Sequence, residues 1–135
     1  MAKKVIVFPC SGIGKAYGEI GRQAIYHLID DLRPGVTDTT CLARLMIDDP
    51  EIKDLIMDNY VMTVDGCTMD CAKKNVEHYG KTVDESFRTV NVFVEHRDLK
   101  PDGILDLGEN GMKLACILAE KMAVEVDRLL AKGET

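Results

Sequence analysis

The sequence holds no apolar run near the roughly 18 to 20 residues that cross a bilayer; its longest apolar stretches are strand-length. That argues against a membrane-spanning helix, so no membrane partner is expected. Basic charge is also short, since 17 Lys and Arg face 23 Asp and Glu for a formal net charge of −6. A nucleic-acid surface must neutralise phosphates with a basic face, so no nucleic-acid partner is expected either. The start of the chain offers only four apolar residues in a row, Val5 to Phe8, where a secretory signal needs about 7 to 15. The expected compartment is the cytoplasm. There is no internal repeat, low-complexity tract or linker, so 135 residues are expected to form one domain.

What is present begins with a composition of 46% hydrophobic and 30% charged residues, which excludes wholesale disorder. Five cysteines follow, an odd number. A disulfide framework belongs to oxidising compartments and to domains too small to build a core, and neither condition fits. Cytosolic cysteines at this density serve as metal ligands, as redox groups or as small buried hydrophobes.

Apolar segments alternate with helical ones. Lys4 to Phe8 reads as a buried strand ending at Pro9, and a helix runs from about Ile13 to Leu32, with Ile20, Ala24, Leu28 and Leu32 at four-residue steps. Arg33-Pro34-Gly35 stops it. Thr37 to Leu42 is the second expected strand. Asp49-Pro50-Glu51 starts a helix to about Met57, because proline and acids suit the first helical turn. Tyr60 to Val64 is the third strand, Asp65 to Thr68 turns the chain, and a helix of about Met69 to Tyr79 ends at Gly80. Phe87 to Val94, rich in β-branched and aromatic residues, is the fourth expected strand, and a final helix covers about Glu109 to Ala131. Strict β-α alternation predicts an α/β fold: a single three-layer domain whose four-stranded, mostly parallel sheet has the flavodoxin-like order 2-1-3-4 and helices on both faces. Ligands of such sheets sit beyond the carboxyl ends of the strands, where the winding reverses.

The cysteines fall at that edge. Cys10 lies past strand 1, Cys41 at the end of strand 2, and Cys67 past strand 3, with Cys71 four residues on. Neighbouring strands are about 4.8 Å apart, so short loops could bring the sulfurs to the roughly 2.3 Å bonds of one tetrahedral zinc. Cys67 and Cys71 form CxxxC, inside the ligand spacing zinc sites use, and an i, i+4 pair shares one face of a helix. Spacing alone leaves metal, redox and buried-thiol roles open. Cys116, with Met112, Ala119 and Ala123 at helical steps, is expected to pack in the core. Asp65 ends strand 3 beside two cysteines, where it caps the next helix or bonds to a metal ligand. His96, read as the end of strand 4, is a second candidate, either as a partner of the ligands or as a base.

The segment Val64-Asp65-Gly66-Cys67-Thr68-Met69-Asp70-Cys71-Ala72-Lys73-Lys74 resembles the central motif of the DGC-domain family. Its flanks agree: Cys10-Ser11-Gly12 resembles that family's CSG element, Gly18-Glu19 its Gly-Glu, and Cys41-Leu42-Ala43 its CLA element. The resemblance runs from about Val5 to Val94. It implies a zinc-binding domain whose ligands here would be Cys10, Cys41, Cys67 and Cys71; it implies no reaction. Arg44-Leu45-Met46-Ile47 departs from the small residues that usually follow the CLA element.

Other motifs fail on inspection. A Walker loop needs GxxxxGK[ST], but Pro9 and Ala16 stand where the first glycine and the Ser/Thr belong. Gly12 to Gly18 reads GxGxxxG rather than GxGxxG, and CxxC is absent. Two function classes therefore remain. One is a binding or metal-stabilised module holding Zn²⁺ in four thiolates, with an iron–sulfur cluster as the alternative occupant of the same ligands. The other is a redox or sulfur-transfer protein in which Cys10 attacks and Cys67 or Cys71 resolves the intermediate. The apolar stripe Ala115, Leu118, Met122, Val126 and Leu129 of the last helix either covers the sheet alone or also builds a homodimer.

Overall fold

β1 (Val5–Pro9) is the centre of the molecule because its side chains alternate between two apolar clusters. Val5 and Val7 join one cluster, Ile6 and Phe8 the other, and all four are fully buried. The structure is a computed structural model that describes residues 3–10, 16–40, 42–66, 70–101, 103 and 107–133. β1 pairs in parallel with β2 (Thr37–Thr39) on one side and with β3 (Tyr60–Asp65) on the other, and β3 pairs in parallel with β4 (Glu85–Arg88). The sheet is all-parallel with order β2-β1-β3-β4, as the alternation predicted.

Two helical layers cover it. On one face lie α1 (Ala16–His27), the π-helical turn Leu28–Leu32 that continues it, α5 (Thr89–Glu95) and α6 (Gly108–Gly133), through Ile20, Ala24, Leu28, Val92, Leu114 and Leu118 among others. On the opposite face lie α2 (Leu42–Met46), α3 (Pro50–Asp58) and α4 (Cys71–His78), through Leu42, Leu45, Ile52, Ile56, Ala72 and Val76. Each fully buried aliphatic side chain contributes about 1.5–3 kcal/mol, so the two clusters dominate the stability. The α6 stripe Ala115, Leu118, Met122, Val126 and Leu129 is buried within the chain itself. Arg33, which closes the π-helical turn through its N–H to Leu28 O at 2.7 Å, forks onto Asp127 of α6 at 2.8 and 2.7 Å. Among the described residues no helix is long and apolar enough to cross a membrane.

Three expectations change. The fourth strand is Glu85–Arg88, and most of the segment read as strand, Thr89 to Val94, lies in α5. Burial explains it: Thr89 and Val92 are buried and Phe93 packs beside them, at helical i, i+3, i+4 spacing, which outweighs the β-branched composition. The true strand is an edge strand of half-buried residues, so it carries little apolar signal. The second strand stops at Thr39, and Leu42 opens a helix instead. Arg44, in the segment that departs from the family pattern, pairs with Asp49, while Asp49 caps α3 by accepting the Glu51 N–H at 3.0 Å. Cys116 is half-buried rather than in the core, because Ala115, Leu118 and Ala119 take the sheet-facing side of α6.

Candidate functional site

β1, β2 and β3 end at one edge, where Pro9, Thr39 and Asp65 close the strands. Cys10 follows β1 and packs on the cluster of the α2–α4 face. That cluster contains Leu42 and Ala72, the residues directly after Cys41 and Cys71. α2 and α4 also touch each other. Cys71 is the first residue of α4 and is exposed, whereas Cys10 is half-buried. Cys41 and Cys67 lie outside the described residues. Among the described residues no three His, Cys, Asp or Glu side chains stand together as a metal site.

Gly66 links the strand ends. Its N–H donates to Cys10 Sγ at 3.3 Å, and the Cys10 N–H donates to Val64 O at 2.9 Å. Any side chain at 66 would force the backbone to shift, because a Cβ there would stand 2.9 Å from Gly18 N and 3.2 Å from the Tyr17 carbonyl carbon. The obstacles are backbone atoms of α1, which cannot turn aside.

Asp65 is 1% exposed. It caps α4, accepting the Ala72 N–H at 2.8 Å and the Lys73 N–H at 3.4 Å. Burial pushes its carboxyl pKa up, against the lowering effect of those two amides. Asp70 immediately precedes α4 and pairs with Arg88, the last residue of β4. Hydrogen bonding from the Arg88 guanidinium holds the Asp70 carboxyl below its ordinary range. This pair was not visible in the sequence, since 18 residues separate its members and Arg88 sat inside a segment read as one strand.

His96 follows α5, with its N–H on Phe93 O at 3.0 Å, and so does not end a strand at this edge. A shallow cavity of about 280 Å³ does open at the ends of β1 and β2, lined by Pro9, Arg22, Ile25, Tyr26, Thr39 and Thr40. It lies on the α1 side of the sheet, while Cys10 packs on the other.

The DGC domain model matches residues 6–104. No curated protein and no solved structure matches the chain. A match over well more than half the chain, spanning the Asp65-Gly66-Cys67 motif whose aspartate caps α4 and whose glycine meets Cys10, shows that the chain belongs to the DGC-domain family.

Proposed function

We propose that the protein binds one Zn²⁺ through the thiolates of Cys10, Cys41, Cys67 and Cys71 at the carboxyl edge of the sheet. The observation that carries this reading is the packing of Cys10 on the cluster that holds Leu42 and Ala72, the chain neighbours of Cys41 and Cys71. The Gly66 amide on Cys10 Sγ supports it, because outer hydrogen bonds of this kind orient metal ligands. The donor set fits the ion: thiolates suit borderline-soft zinc, and no carboxylate or imidazole is required. Bound zinc would cross-link the ends of three strands and the start of α4. Four thiolates fill the coordination sphere, which describes a structural or storage site rather than a hydrolytic one. Reduced thiols of this kind suit the cytoplasm.

A second reading has its own observation, the exposure of Cys71 at the start of α4, since a redox or sulfur-transfer thiol must be reachable. One experiment separates the two. Protein purified without chelator is assayed for metal, and its free thiols are counted before and after chelation. Stoichiometric zinc with thiols unmasked by chelator is the expected result. Metal-free protein with one fast-reacting cysteine would favour the second reading. Iron with labile sulfide would assign the same thiolates to a cluster.

A further inference from the structure

Two carboxylates bracket the passage from β3 to α4, and they do different jobs. Asp65 caps the helix through Ala72 and Lys73. Asp70 starts it with its backbone, its carbonyl accepting the Lys74 N–H at 2.9 Å, but its side chain makes no cap bond. Both Asp70 oxygens go instead to Arg88, Oδ1 to Nε at 2.8 Å and Oδ2 to Nη2 at 2.5 Å. A two-point fork fixes orientation as well as distance. Asp70 also sits at φ 55° and ψ 42°, the left-handed region that favours glycine and asparagine. Either would relieve the backbone there, and neither could form the charged fork.

We infer that Asp70 and Arg88 are a positioning pair for the thiol site: their fork sets where α4 begins relative to β4, and with it where Cys71 is presented. The inference rests on the zinc reading above. Cys71 lies between two fixed points, the Asp70 fork before it and Ala72 after it, which is fully buried with its N–H on Asp65. A ligand whose backbone is already set needs less ordering when an ion binds, so the fork favours binding without touching the metal.

The test measures Zn²⁺ affinity by chelator competition in wild type, Asp70→Asn, Asp70→Gly, Arg88→Gln and the Asp70→Asn/Arg88→Gln double variant. The thermal midpoint of each zinc-free protein is measured beside it. Each single change is expected to weaken zinc binding roughly tenfold, and the double change no further, because either one already breaks the fork. Zinc-free midpoints of Asp70→Asn and Asp70→Gly are expected to stay close to wild type, because relief of the left-handed backbone offsets the small loss of a partly exposed ion pair. Wild-type affinity in the single variants overturns the pair alone. So does an affinity loss that follows the midpoint from variant to variant, or a double variant whose losses add. Wild-type protein that takes up no zinc overturns the zinc reading and this inference with it.

Discussion

The Gly66 amide donates to Cys10 Sγ at 3.3 Å, joining the exits of β3 and β1 across 56 residues of chain. This contact gives the Asp65-Gly66-Cys67 tripeptide a physical reading. The aspartate caps α4, and the glycine lets α1 pass while aiming an amide at the first cysteine. The third residue carries the proposed ligand.

Gly66→Ala should therefore destabilise the protein by about 1–3 kcal/mol, the range for forcing atoms into a packed site. Its Cβ meets backbone at 2.9 Å. Gly21→Ala is the control, because its Cβ would meet only the side-chain atoms Val64 Cγ1 at 3.1 Å and Thr89 Oγ1 at 3.4 Å. Alanine also favours the interior of α1 by roughly 0.5–1 kcal/mol, so that variant should lie near wild type in urea denaturation. Equal losses in the two variants would contradict the close-approach account.

Asp65→Ala leaves the first amides of α4 uncapped and should cost about 1 kcal/mol, the usual loss for a capping residue. Asp65→Asn keeps an acceptor for the Ala72 N–H and removes a carboxylate that burial disfavours, so its loss should be smaller. Denaturation midpoints at neutral pH compare them. An asparagine variant as unstable as the alanine one would show that the negative charge itself is needed at this helix end.

Part of the acid response should trace to Glu19. Gln23 Nε2 at 2.9 Å and the Arg22 guanidinium at 2.7 Å hold its carboxyl below the ordinary 4.5, against the raising effect of burial. A depressed folded pKa means the unfolded chain takes up the proton first as pH falls. The stabilisation is then fully present above the ordinary value and lost as pH drops through the folded one. Glu19→Gln should be less stable than wild type at pH 7, with the gap closing in acid. A gap that stays constant from pH 7 down to about 2.5 would rule this linkage out.

Parallel pairing and strand order were legible because β1 and β3 are apolar on both faces and the helices between them have clear starts and stops. The edge was harder. β4 reads as polar Glu-Ser-Phe-Arg, since an edge strand buries only half its surface, whereas α5 borrows β-branched residues and hides its helical period in a segment that also fits a strand. The cysteine edge could be reasoned from topology and from the family resemblance together. Of its supports, the Asp65 cap was also expected, but two others were not: the Asp70–Arg88 fork joins residues far apart in the chain, and Gly66 acts through a backbone amide that carries no sequence signature.

If the motif cysteines hold one zinc ion as proposed, Cys116 should have no part in it. The most direct measurement is zinc content per protein chain in wild type, Cys67→Ser and Cys116→Ser, each purified without chelator. One zinc is expected in wild type and in Cys116→Ser, with content well below that in Cys67→Ser. Equal zinc in the two variants, or none in wild type, would contradict it.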